Sequence, residues 1–158
     1  MGGPSKKTGL ALYTVRDDMT KDPAAALAAV AAKGFNWVEA ASHSNRAFYG
    51  LKPNEYGKLV KKTGMDPLST HSAVRPENED QMIEDAAEAG MKYLILPSLP
   101  EEWRNSLAAY QKTADYFNKV GEKCRKAGLT FAFHNHQVEF LEIDGKVPFD
   151  ILAGNTDP

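Results

Sequence analysis

Cysteine is all but missing from these 158 residues: Cys124 stands alone, so no disulfide can close within the chain. It falls in an apolar helical series, which makes it a small buried hydrophobe rather than a nucleophile. An excess of either charge is missing too. Nineteen Lys and Arg against 21 Asp and Glu leave a formal −2, with no long like-charge run, so the footprint of a nucleic-acid or anionic-membrane partner is absent. No apolar stretch reaches the roughly 18 residues of a membrane span, and the opening MGGPSKKTG has no apolar segment of a signal peptide. Residues 1–8 are expected to be a disordered or artificially added leader. The chain as given is expected to be cytoplasmic, whereas a parent with a signal peptide at its native N-terminus would be exported. What is present, 42% hydrophobic and 25% charged residues, supplies core material for one globular unit.

One phrase recurs along the chain: AAKGFNWVEA at 31–40, KKTGMDPLST at 61–70, AEAGMKYLIL at 87–96 and RKAGLTFAFH at 125–134. Each is a helix end, a glycine and then a strand. Gly34, Gly64, Gly90 and Gly128 fit the residue after a helix, and nearby lysines suit the negative end of the helix dipole. Leu107, Tyr110, Ala114, Phe117, Gly121 and Cys124, spaced by three and four, form the stripe of a helix on a core. Asp22-Pro23 supplies an N-cap and first-turn proline for an earlier helix.

Short apolar runs follow each glycine, and GLALYTV at 9–15 adds one before the first helix, giving five strands alternating with about four helices. Alternation at this period predicts an α/β protein with a parallel sheet. A doubly wound sheet and a (β/α)8 barrel both satisfy it, but no G-x-G-x-x-G or phosphate loop follows any strand, which removes the main support for a nucleotide-binding doubly wound sheet.

All four histidines fall at or just beyond a strand's C-terminal end: His43 after WVEAAS, His71 after PLST, His134 and His136 after FAF. In parallel α/β proteins these ends share the rim where ligands bind. Arg16 and Glu39 belong to the same rim, where they could also simply pair with each other. His43 alone is best explained by chance placement. In FAFHNHQVEF, period two places Ala132, His134 and His136 on one face and Phe131, Phe133 and Asn135 on the other. With the phenylalanines against helices, both histidines point into the barrel mouth. His134, His136 and Glu139 within six residues combine imidazole and carboxylate, which suits a divalent ion, while histidine also suits proton transfer near neutral pH. Glu139 leaves the histidine face unless the chain turns after His136.

The motifs LALYTVRDDM, GFNWVEAA, FYGLKP, AEAGMKYLILP and FAFHNHQVEF followed by DGKVPFDIL resemble the N-terminal part of the sugar phosphate isomerase/epimerase family, the xylose isomerase-like TIM barrels, in the branch with a Y-H-N-H-x-x-E-F segment. The resemblance spans residues 10–158. It implies a divalent metal (Mn, Mg, Zn or Co) at the barrel mouth, held by carboxylates and a histidine, and proton transfer beside a sugar carbonyl or hydroxyl. Glu139 matches the branch's glutamate and takes the metal role, with His134 second because related branches place a glutamate there. His134 and His136 become the catalytic proton carriers, and Arg16, Glu39 and His71 the substrate-binding residues.

Family members run on through three further strands, whereas this chain stops at NTDP. The expectation is therefore an incomplete TIM barrel over residues 9–158, a fragment of a metal-dependent sugar, keto-sugar or sugar phosphate isomerase or epimerase. A keto-sugar dehydratase or lyase is the alternative chemistry, and a non-catalytic sugar-binding half-barrel the alternative of another class. The partner is a small sugar. Five strands cannot close a barrel of eight, so inner-face positions such as Leu12, Leu94 and Ala132 are expected to stay open, and the isolated chain to self-associate.

Overall fold

Asp22 and Pro23 show how the sequence starts its helices. The Asp22 carboxylate accepts from the backbone N–H groups of Ala24 and Ala25, each at 3.0 Å, and Pro23 occupies the first turn, where its missing N–H costs nothing. Ser106 caps the longest helix in the same way, accepting from Ala109 at 3.1 Å. At the opposite ends the chain turns through glycine. Gly34 and Gly128 have φ of +88° and +77°, a left-handed conformation that L side chains resist.

The computed structural model describes residues 7–157; residues 1–6, most of the expected leader, lie outside the described residues, as does Pro158. The elements are β1 (Gly9–Ala11), α1 (Arg16–Lys21), α2 (Pro23–Ala32), β2 (Trp37–Ala40), a hairpin of β3 (His43–Ser44) and β4 (Ala47–Phe48), α3 (Pro53–Lys62), β5 (Asp66–His71), α4 (Glu79–Glu88), β6 (Tyr93–Leu96), α5 (Leu107–Lys126), β7 (Thr130–Phe133) and α6 (Pro148–Asn155). One sheet takes the order β1-β2-β5-β6-β7, with every neighbouring pair parallel. Strands laid side by side in chain order with helices between them are the first part of a (β/α)8 barrel, as predicted. Two α-helices exceed the expected number, the short α1 and the terminal α6.

The run GLALYTV does not stay extended. β1 stops at Ala11, and Leu12–Val15 form a 3-10 turn into α1, whose first turn carries Asp17 and Asp18, charges that favour a helix N-terminus. This corrects two expectations. Leu12 is fully buried in the core instead of lining an open inner face, and Arg16 opens a helix instead of ending a strand.

Helices cover one face of the sheet. Phe131 and Phe133 meet Phe117 of α5, each at a ring separation of 5.3 Å, which fixes the helix side of β7. Through the register this side also holds Leu94, Thr70 and Ala40, all fully buried. Leu94 was expected on the open face; its pairing with Phe131 puts it under the helices, where burial is larger. Ala132 does take the opposite face, with Glu39, Ser69, His71, Tyr93 and Ile95. There Tyr93 keeps 40% of its surface exposed.

One irregularity decides which side chains reach that face. Val38 pairs with Pro67, but Glu39 pairs with Ser69, so Leu68 is an extra residue in β5. Because strand side chains alternate, one added residue reverses the alternation beyond it. Without the bulge Glu39 would sit beside Leu68, and His71 would face the helices. With it, Ser69 and His71 join Glu39.

Candidate functional site

Glu39, Ser69, His71, His134 and His136 meet at the C-terminal ends of β2, β5 and β7. Ser69 Oγ donates to Glu39 Oε2 at 2.7 Å, and His71 Nδ1 lies 2.9 Å from Glu39 Oε1. One carboxylate thus serves two neighbours across the bulged strand pair. The His71 ring meets the His134 ring edge-on at 5.0 Å, and His134 meets His136 at 4.9 Å. His134 is held in line because its N–H continues the ladder to the Leu96 carbonyl at 3.0 Å. The result is a row of three imidazoles with a carboxylate behind the first. His134 and His136 are exposed, while the side chains of His71 and Glu39 keep only 22% and 19% of their surface.

Burial holds the His71 pKa below its usual 6.5; the neighbouring His134 and His136 push the same way, and only Glu39 opposes them. His71 is therefore neutral at pH 7, with one nitrogen carrying a proton and the other a lone pair.

Glu139 is placed differently from the row. The chain turns after His136 into a 3-10 helix, Gln137–Phe140, and Glu139 reaches back to accept the His136 backbone N–H at 2.5 Å. It is 1% exposed. Beside it, a cavity of 290 Å³ is lined by Ser98, Leu99, Arg104, His136, Gln137, Val138 and Glu139. Tyr110 lies close enough that the negative Glu139 adds to burial in raising the tyrosine's pKa.

Arg16 does not join the row and does not pair with Glu39. Its Nη1 donates to the Tyr13 carbonyl at 3.0 Å, and its guanidinium lies over the Tyr13 ring at 4.6 Å. His43 has a structural occupation: its Nε2 lies 2.9 Å from Asp85 Oδ2, and its ring packs on Phe48. Arg46 holds the other oxygen of the fully buried Asp85, so the β3–β4 hairpin is tied down to α4. Cys124 is fully buried, its thiol pKa pushed up to about 11, in keeping with a packing role.

Sequence reasoning missed Ser69 and Asp85. Ser69 was findable, since it stands two residues before His71 and so shares its face. Asp85 gave no signal, being one of several acidic residues on α4.

A resident metal needs at least three protein ligands. Among the described residues no three His, Cys, Asp or Glu side chains are grouped to hold one. The carboxylates at hand are already engaged, Glu39 by Ser69 and His71, Glu139 by the His136 N–H. These residues do not by themselves fit a complete metal centre.

No protein-family model matches the sequence, and no curated protein matches it either. Solved structures do match. A sugar phosphate isomerase/epimerase from Parabacteroides distasonis superposes with a TM-score of 0.82 at 23% identity, over 97% of this chain and 66% of its own. The chain has the TIM-barrel fold of the sugar phosphate isomerases/epimerases. A second structure of that description from the same organism gives 0.82 at 24% identity, over 99% and 63%. The IolI protein, with a zinc atom bound, gives 0.55 at 14% identity, over 81% and 51%. This TIM-barrel chain thus spans 66% and 63% of the length of the first two. Among the described residues no helix is long and apolar enough to cross a membrane.

Proposed function

We infer that the protein is a sugar isomerase or epimerase, or the part of one that carries this rim, acting on a sugar, sugar phosphate or keto-sugar by proton transfer. The observation that carries this is the row of His71, His134 and His136 at the strand ends, where barrels of this fold do their chemistry. Likeness in fold to two sugar phosphate isomerase/epimerases supports the substrate class.

Imidazoles in contact suit this chemistry because one can take a proton from the carbon next to a carbonyl while another returns it. The electrons of the broken C–H bond pass into an enediolate. Protonation at the neighbouring carbon gives isomerisation; protonation of the same carbon from the other face gives epimerisation. Loss of a hydroxide or a carbon fragment from the same enediolate would make the enzyme a dehydratase or lyase. Glu139 and His134 are the donors this chain would offer to a divalent ion (Mn, Mg, Zn or Co), with further ligands needed beyond the described residues.

The test is incubation of the protein at its native length, with Mn²⁺ and in D2O, against a panel of aldoses, keto-sugars and their phosphates. Deuterium entering at carbons beside the carbonyl is the expected result, and release of water or a fragment would identify the dehydratase or lyase. Binding of a sugar without exchange would make the chain a sugar-binding half-barrel.

A further inference from the structure

We propose that Arg104 is a specificity-determining residue that takes an oxyanion, the phosphate or carboxylate of an acidic sugar, in the cavity beside His136. That the anion belongs to a sugar rests on the function inferred above; the anion site itself does not.

The cavity adjoins the rim. His136 lines it, and the His136 ring lies 4.9 Å from that of His134, so a molecule reacting at the row can extend into the cavity. Pockets that take a whole small molecule start at about 300 Å³. At 290 Å³ this cavity has room for one substituent of a sugar that lies on the rim.

Arg104 is held at both backbone and side chain. Its backbone N–H donates to the Glu101 carbonyl at 3.0 Å, closing the 3-10 turn Glu101–Trp103, and its Nε donates to the Leu99 carbonyl at 3.2 Å. With Nε engaged, the fork of two Nη groups remains, and that fork matches two oxygens of one phosphate or carboxylate. A side chain held in advance also loses less freedom when the anion arrives.

The charge of Arg104 has no other occupation. Two arginines are half-buried, and one of them, Arg75, lies over the Trp103 ring at 5.0 Å. Among the described residues the Arg104 side chain has a single hydrogen-bond partner, the Leu99 carbonyl, and no carboxylate within ion-pair reach. A half-buried cation without a counter-charge is costly, and an anionic ligand would supply one. Glu139 is the carboxylate that lines the cavity, but it is 1% exposed and accepts the His136 N–H, so it turns almost no surface towards the opening. Ser98 and Gln137 add a hydroxyl and an amide to the lining, both capable of donating to an oxyanion.

The Nε–H signals of ¹⁵N-arginine-labelled protein at its native length read the site without a substrate. Inorganic phosphate and, separately, acetate are titrated at constant ionic strength, with the Arg104 signal assigned by its loss in Arg104→Gln. That signal is expected to move saturably, while those of Arg75 and Arg125 shift only slightly and without saturation. Tighter binding of phosphate identifies a sugar phosphate as the ligand, and tighter binding of acetate a sugar acid. An Arg104 signal that moves no more than that of Arg125 with either anion overturns the proposal. Should Arg104→Gln not fold, Arg104→Lys gives the assignment, and the titration is still read on the wild type. In the deuterium-exchange assay, Arg104→Gln is expected to reduce the preference for an acidic sugar over its neutral counterpart about tenfold or more, through KM rather than kcat. Arg104→Lys, which keeps the charge without the fork, should reduce it less. A preference that survives Arg104→Gln, or a wild type that favours the neutral sugar, overturns the proposal. Absence of exchange in the wild type would instead remove the isomerase function, while the titration still decides the anion site.

Discussion

Each residue of the rim has a distinguishable loss. His134→Asn and His136→Asn are expected to lower turnover by about a hundredfold or more each if they return the proton, with metal content little changed in His136→Asn. Glu139→Gln separates two roles of one side chain. A glutamine can still accept the His136 N–H that Glu139 now accepts, so the fold should hold while any metal affinity that Glu139 supplies falls. Bound Mn²⁺, measured beside a thermal melt, decides the matter. His71 also carries a pH signature. Its folded pKa is lowered from 6.5, so below that pH the unfolded chain binds a proton that the folded one refuses. Its contribution is therefore intact above pH 6.5 and is lost as pH falls through the lowered folded value. Melting temperatures of the wild type should decline between pH 7 and 5 more steeply than those of His71→Asn. The four histidines and Glu39 were legible in the sequence as strand-end residues, because the recurring glycines mark where strands begin and the short apolar runs after them show where they end. Which of them touch was not, since contacts such as His43 with Asp85 join positions far apart in the chain.

At the level of elements the sequence is read most easily where local chemistry suffices. Asp22 and Pro23 at the start of α2, glycine at helix ends and the apolar stripe of α5 all appear where predicted, because capping and periodicity act within a few residues. The fate of GLALYTV was illegible, since burial of Leu12 by the rest of the core outweighs the strand preference of the run. Close approach of helices was equally hidden. A Cβ added to Gly57 of α3 would run into the Ala89 carbonyl at the end of α4, backbone that cannot step aside. Gly57→Ala should destabilise the protein by about 1–3 kcal/mol despite alanine's better helix propensity. Urea unfolding of the variant gives the sign: a gain in stability would mean that α3 and α4 are less tightly fixed than they look.

For the whole molecule, the sheet is open. Among the described residues β1 and β7 each have one neighbour, leaving a free edge on either side, and the face opposite the helices exposes Tyr93 to 40%. Unpaired N–H and C=O groups along a strand edge are templates for pairing. The chain studied alone is therefore expected to self-associate at micromolar concentration through edges or open faces, and sedimentation equilibrium should give a mass above 17.3 kDa. A sharply melting monomer would mean that the edges are protected. The inner face is less apolar than expected, because Leu12 and Leu94 lie in the core and Glu39, Ser69 and His71 take their share of it. Edge pairing is accordingly the stronger drive. Fold class was legible from the alternation of elements alone; the chemistry of the inner face depended on a register that no local signal in PLSTH announces.

That register has a genetic side. Leu68 sets the phase of β5, so the rim's chemistry is held by a count of residues as much as by their identities. Point substitutions leave the count untouched. Inserting a single codon between Ser69 and His71 would keep the topology yet turn His71 towards the helices and bring the residue before it to the rim. Length changes in this strand are thus the shortest mutational route from an acid–base rim to an inert one, and their reversal the shortest route back.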